Sequence, residues 1–292
     1  MSKLSEALKN KKFAVTSEVG PPKGVNIKVC IEDAELIKDK VDAINVTDNQ
    51  SAVMRISSMA VCHVLVEKGM EPVFQMVCRD KNRLGLQADL LGAWALGIQN
   101  VLCLTGDHNV MGDHPTSKPV FDIDSVQLIK AITDLNSGKD MVGNALDGAP
   151  NLFHGAVVTP ESDPVEPQII KMKKKIDAGA QFFQTQAVYD PVAFEKFMNK
   201  VSRFNVPVMV GIVVLKSPAM AKFMNENVAG IKVPVEIIKE MADTQKEDRV
   251  KKSIEISARI IRQVKALCQG VHIMPLGWDK HVPAILEQAG LY

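Results

Sequence analysis

Apolar residues along the chain fall into short runs, separated by longer amphipathic stretches and polar punctuation. The first run, Phe13-Ala14-Val15-Thr16-Ser17-Glu18-Val19, predicts a strand that ends on a carboxylate. Gly20-Pro21-Pro22 stops it, because proline lacks a backbone donor and restricts the residue before it. Similar runs predict strands over Asp42–Asp48, Pro72–Cys78, Asn100–Thr105, Leu152–Val158, Gln181–Gln186, Val206–Val214 and Val271–Pro275. Helical spacing predicts helices over Cys30–Lys40, Met54–Lys68, Leu84–Leu96, Ser125–Leu135, Glu166–Ala178, Ala193–Val201, Pro218–Asn225, Pro234–Ala242, Lys246–Gln269 and Val282–Ala289. Gly69, Gly97 and Gly179 stand where helices should stop. Residues 108–120 and 136–151 read as polar loops.

Eight apolar runs alternating with helices predict a parallel sheet covered on its outside. In a chain of this length that pattern favours an α/β fold of the (β/α)8, TIM-barrel type over a doubly wound sheet. No Gly-x-Gly-x-x-Gly follows the first strand, which weakens a dinucleotide-binding alternative. The surplus helices between the seventh and eighth strands read as a local elaboration. No linker is visible, so residues 1–292 are expected to form a single domain.

Composition narrows the function classes. A net charge of +1 gives no general case for nucleic acid or membrane binding, and 5% aromatics argue against base-stacking platforms. The five cysteines are scattered, without a Cys-x-x-Cys pair, so buried free thiols in a reducing cytoplasm are expected. Neither a zinc site nor a cysteine-held iron–sulfur cluster is encoded locally. The start, Met1 to Leu8, reads as a polar amphipathic turn rather than a secretory leader. No apolar run approaches the roughly 20 residues of a membrane span.

In such barrels the chemistry sits at the C-terminal ends of the strands. Those ends carry Glu18, Thr47-Asp48, Gln75 with Arg79, Gly106-Asp107, Thr159, Gln186 and the Leu215-Lys216 region. By itself Glu18 is either a capping or salt-bridging residue or a group presented to a site. The six histidines (His63, His108, His114, His154, His272, His281) show no ligand spacing and read as structural or solvated.

Four motifs fall in order on these predicted ends: Ser17-Glu18-Val19-Gly20-Pro21-Pro22, Val46-Thr47-Asp48-Asn49, Leu104-Thr105-Gly106-Asp107, and Lys175-Ile176-Asp177-Ala178-Gly179-Ala180 followed by Thr185-Gln186. From about residue 13 onward the chain resembles the methylenetetrahydrofolate reductase family of bacterial type. Thr47-Asp48-Asn49-Gln50, the stretch from Gln184 to Asp190, and Pro275-Leu276-Gly277-Trp278 look most like the versions in anaerobic one-carbon pathways.

The resemblance implies an oxidoreductase that converts 5,10-methylenetetrahydrofolate to 5-methyltetrahydrofolate with a flavin, in a reaction open to reversal. Glu18 would be the general acid. Asp107 would lie beside both flavin and pterin, and Gln186 would bind the pterin edge. Thr47, Gln75, Gly106, Thr159 and Lys175 match cofactor-contacting positions, and Phe223 matches an apolar lid over the folate. Competing readings are a turn or cap for Asp107, plain rim positions for Thr47 and Gln75, a barrel-interior polar residue for Gln186, a solvated face for Lys175 and core packing for Phe223.

Departures from the family pattern are Thr105 for an arginine, Gln75 for a histidine, Glu166 or Gln168 where an acid is expected, and the Trp278 region for an arginine. Several touch the phosphate and adenosine side, so FMN stands beside FAD. The donor would be NADH, NADPH or an iron–sulfur electron-transfer partner subunit. A cytoplasmic oligomer is expected, with no nucleic acid partner. The alternatives are a folate- or corrinoid-linked methyltransferase barrel, or a flavin subunit active only with its electron-transfer partner.

Overall fold

The structure is a computed structural model that describes residues 1–291; Tyr292, the last residue of the expected domain, lies outside the described residues. In chain order the elements are α1 (Lys3–Lys9), β1 (Ala14–Val19), α2 (Lys28–Ile37), β2 (Ala43–Val46), α3 (Ser58–Glu67), β3 (Pro72–Val77), α4 (Arg83–Ala95) and β4 (Asn100–Leu104). They continue with α5 (Ser125–Asn136), β5 (Phe153–Val158), α6 (Glu166–Asp177), β6 (Phe183–Ala187), α7 (Pro191–Val201) and β7 (Val208–Val213). The chain then forms α8 (Pro218–Asn227), α9 (Val235–Asp243), α10 (Arg249–Val264), β8 (Gly270–Met274) and α11 (Val282–Gln288).

The strands close in sequence order into an all-parallel barrel, with β8 returning to β1. This is the (β/α)8 architecture expected from the alternation. Between β7 and β8 stand α8, α9 and α10 in place of a single helix, as the surplus periodic segments predict. The strands are largely buried along their length, because the outer helices and the barrel interior cover both faces.

The barrel interior changes character along its axis. Its lower part is an apolar cluster of Ala14, Ala43, Val73, Leu102, Phe182 and Met209, closed from below by Leu4, Ala7 and Leu8 of α1. The next side chains toward the strand ends are polar and buried: Thr16, Asn45, Gln75, Gln184 and His272.

Three local expectations are corrected. Met1–Leu8 is not a polar turn: Ser2 caps α1 by accepting from the Ser5 N–H at 3.1 Å, and Leu4 and Leu8 pack on the barrel floor. Their spacing of four puts them on one face, but the surface they cover comes from distant strands. The helix expected over Met54–Lys68 is confined to α3, preceded by a 3-10 turn (Gln50–Ala52) with Ser51 and Ala52 at positive φ. The helix expected over Lys246–Gln269 is a 3-10 turn (Lys246–Asp248) followed by α10, which ends at Val264 before the chain turns into β8.

All five cysteines are buried and free. Among the described residues no helix is long and apolar enough to cross a membrane.

Candidate active site

The C-terminal ends of the strands surround a cavity of about 430 Å³. Its apolar wall comes from Val77, Leu102, Leu104, Val157 and Met274. Its polar wall brings Glu18, Gln75, Gly106, Asp107, Thr159, Lys175 and Gln186 around one space. Of the residues singled out in sequence, Thr47 and Phe223 are not on this wall. Thr47 is buried beside it, its N–H donating to Val19 O at 3.3 Å. Phe223 projects from α8 and is 59% exposed.

Glu18 sits next to the end of β1, inside the barrel and 6% exposed. The pleat sends Thr16 and Glu18 to the interior, while Ser17 donates to Ile273 O of the neighbouring β8. His272 on β8 lies with Nε2 3.6 Å from Glu18 Oε2. Asp107 follows Gly106, whose φ of +91° makes the turn off β4. A Cβ there would also crowd Val77 and Arg79, at 3.1 and 3.2 Å from their Cβ atoms. Gln186 lies where β6 is irregular against β7: Gln184 pairs with Met209, yet Ala187 pairs with Gly211. The Gly211 N–H donates to Thr185 Oγ1 at 2.8 Å, and a Cβ on Gly211 would stand 2.2 Å from Thr185 O. The bulge therefore needs glycine opposite it, and Gln184, Thr185 and Gln186 all reach the cavity.

The lysine run on α6 is divided by helix geometry. Lys173 pairs with Asp177 in solvent, while Lys171 and Lys175, four residues apart, both face the cavity. Lys175 is buried and donates to Val157 O at 2.6 Å. Burial, aided by the charge of Lys171, pushes its ammonium down to about 8. Glu166 is on the outside, paired with Lys200 at 2.9 Å, whereas Gln168 is on the cavity wall.

Sequence reasoning gave no role to two residues that shape this site. Arg79 is 2% exposed and binds Asp80 through both carboxylate oxygens, at 2.8 and 2.7 Å. Its remaining donors reach Asp107 O and Asn49 O, each at 3.2 Å, so one guanidinium joins the loops after β2, β3 and β4. Its position just beyond a strand end was the available signal. His272 is the other, and no local pattern separates it from the remaining histidines. Asp279, in the turn after β8, is buried; burial, with Asp33 nearby, pushes its carboxyl up to about 6. Among the described residues no group of three or more His, Cys, Asp or Glu side chains could hold a metal ion.

A closed parallel barrel with buried acid, amide and cationic groups at its C-terminal mouth is the (β/α)8 enzyme arrangement. The family model for methylenetetrahydrofolate reductase matches residues 3–290, and the chain belongs to that family. Methylenetetrahydrofolate reductase 2 of Schizosaccharomyces pombe is 27% identical over 230 residues, 74% of this chain and 35% of that protein. The 5,10-methylenetetrahydrofolate reductase of Pectobacterium carotovorum is 25% identical over 158 residues, 54% of this chain and 48% of that one. A solved Clostridium thermocellum protein that binds two copies of 5-methyl-5,6,7,8-tetrahydrofolic acid shares the fold, with a TM-score of 0.64 at 16% identity, covering 99% of this chain and 98% of its own. The chain spans about a third of the length of the first curated relatives it matches.

Proposed function

We propose that this chain reduces 5,10-methylenetetrahydrofolate to 5-methyltetrahydrofolate with a bound flavin, and that the same site runs the reverse oxidation. The observation that carries this reading is the meeting of Glu18, Asp107 and Gln186 at one cavity, in a chain of this family. The folate-binding barrel from Clostridium thermocellum supports the substrate class.

The residues present fit a flavin. An isoalloxazine needs apolar walls for its faces, mixed donors and acceptors at its edge, and a cation near its electron-rich pyrimidine. Leu102, Leu104, Val157 and Met274 supply the first, Gln75 and Thr159 the second, and Lys175 the third. The Arg79-bound loops and Gly106 complete the cofactor side. When bound and reduced, the flavin supplies the hydride.

The chain's own groups do the rest. Glu18 gives a proton to the departing folate nitrogen, N10, so that the five-membered ring opens and leaves a cationic iminium at N5. Asp107 presents negative charge to that cation. Gln186 pairs with donor and acceptor groups on the pterin edge and sets its register. Hydride addition at the iminium carbon produces the N5-methyl group, and the base left on Glu18 is reprotonated from water. Either NADH or NADPH, or an iron–sulfur partner subunit, restores the electrons.

The test is an absorbance spectrum of purified protein, with extraction and mass of its flavin, followed by anaerobic mixing of photoreduced protein with 5,10-methylenetetrahydrofolate. A yellow protein that is reoxidised with formation of 5-methyltetrahydrofolate is expected. A colourless protein that binds methyltetrahydrofolate would instead favour methyl transfer. Adding NADH and NADPH separately identifies the donor, and reduction by neither points to the partner subunit.

A further inference from the structure

A second cavity, of about 520 Å³, lies behind the loop that follows β5 and shares no wall residue with the cavity at the strand ends. That loop, one face of α7 and the connection from α8 to α9 form its walls. The connection is held in place. Asn225 Nδ2 donates to Val233 O at 3.0 Å, and the Val233 N–H donates to Asn225 Oδ1 at 2.7 Å. Gly230, at φ +76°, lets the connection close on the β5 loop, since a Cβ there would stand 2.1 Å from Thr159 Cγ2. The walls are therefore formed before any ligand arrives.

Glu161, 6% exposed, lies on this wall. Its Oε1 accepts from the Tyr189 and Asp190 N–H groups, each at 3.4 Å. Its Oε2 is buried and has no hydrogen-bond partner. A buried polar atom ordinarily has one, so this oxygen lacks a donor. Burial pushes the carboxyl up to about 7, and Lys232 is near enough to oppose that push. The neighbouring Asp190 is engaged as the cap of α7, its Oδ1 accepting from the Val192 and Ala193 N–H groups at 2.8 and 3.1 Å.

Two further features bound the chemistry of an occupant. Val165, Phe197, Val233, Pro234 and Val235 give the cavity an apolar side. Lys196, Lys200 and Lys232 stand exposed at its edge, with Asp163 beside them. Lys200 is paired with Glu166 at 2.9 Å, whereas Lys196 and Lys232 enter no ion pair among the described residues. A simple amine would satisfy Glu161 but meet the charge of the lysines. A simple carboxylate would suit the lysines but bring Oε2 no donor. A molecule with an ammonium and a carboxylate on one carbon answers both, and a hydrocarbon side chain covers the apolar side.

We infer that this cavity is a second ligand site, which takes a small zwitterion of the α-amino-acid class with an apolar side chain, its ammonium on Glu161 Oε2 and its carboxylate toward Lys196 and Lys232. The site is independent of the reductase reading, and nothing at the strand-end cavity enters its test.

Isothermal titration calorimetry of the full chain with L-norleucine, n-pentylamine and hexanoate tests it, because the last two each lack one charge of the first. At about pH 8, where Glu161 is largely ionised, norleucine is expected to bind with a Kd of about 1 mM, and each single-charge probe about 10-fold more weakly. Glu161→Gln keeps an oxygen for the two N–H groups and removes the charge, so norleucine binding should weaken about 10-fold or more. Replacing both Lys196 and Lys232 by methionine should weaken norleucine about 10-fold and leave pentylamine bound at least as well as before. These two positions are exposed, so this variant decides the matter even where Glu161→Gln does not fold. Three results overturn the proposal. One is no norleucine binding up to about 20 mM, the outcome if the Lys232 ammonium simply closes on Oε2. Another is pentylamine or hexanoate binding as tightly as norleucine. The third is norleucine binding unchanged in the folded variants, which places it elsewhere.

Discussion

The two ends of the barrel are built from the same strands and do opposite work. At the N-terminal end the interior is apolar, and Leu4, Ala7 and Leu8 of α1 seal it. At the C-terminal end the same strands lead into polar groups around an open cavity, most of them buried or half-buried and Asp107 exposed. The lower end gains from excluding water. The upper end keeps groups whose burial is unfavourable unless each finds a partner, as Arg79 does with Asp80 and Lys175 with Val157 O. The contrast shows where stability and chemistry separate along one axis, and substitutions at the two ends should fail in different ways.

Glu18→Gln should break the upper end most sharply. Shape and flavin content are kept, and folate reduction by photoreduced protein falls by about 10³-fold or more, measured by stopped-flow absorbance. Near-normal turnover would remove Glu18 from the acid role. Leu4→Ala is the matching lesion below. Loss of a fully buried leucine from the floor should lower unfolding free energy by about 2–5 kcal/mol in urea titrations, while the rate per folded molecule stays put. An equal loss of rate would mean that the two ends are not separable. Asp107→Asn should slow the folate half-reaction by about 10-fold, a smaller effect because Asp107 is exposed, and should also shift the flavin midpoint potential. Unchanged values in both measurements would leave Asp107 as a turn residue.

The smallest effect is on pH dependence. Lys175 is pushed down to about 8 from an ordinary 10.5. Between those values the unfolded chain holds a proton that the folded chain has released, so the Lys175 contribution to stability rises with pH across that window. Lys175→Met should flatten that rise when urea midpoints at about pH 7 and about pH 9.5 are compared. A rise that persists unaltered would place the shift elsewhere.

The strands were the most legible part of the sequence, because a parallel strand buried on both faces is a short apolar run with glycine, proline or polar residues at its ends. Glu18, Gly106-Asp107 and Gln186 were legible as strand-end positions for the same reason. The floor helix α1 was not. Leu4 and Leu8 are isolated among charged residues, and what makes them core is a surface assembled from remote strands. The two cavity-facing lysines could have been picked out from the run by their spacing of four alone. The contact of His272 with Thr16 could not, because these residues, 256 apart in the chain, meet only where β8 closes on β1. Phe223 illustrates the opposite limit: its place on a helix was legible, but its outward direction was set by how α8 lies on the barrel.

The guanidinium of Arg79 has a consequence for how ligands meet this mouth. One buried cation fastens Asn49 O, Asp80 and Asp107 O to a common point, so three loops that would otherwise sample positions independently share their motion. Much of the ordering entropy of the rim is then spent during folding, before any ligand arrives, and less is charged against affinity. Lysine could not substitute, because a single ammonium cannot hold a carboxylate by two oxygens while spanning two carbonyls. Adaptation to a ligand is therefore left to the part of the rim outside these three loops.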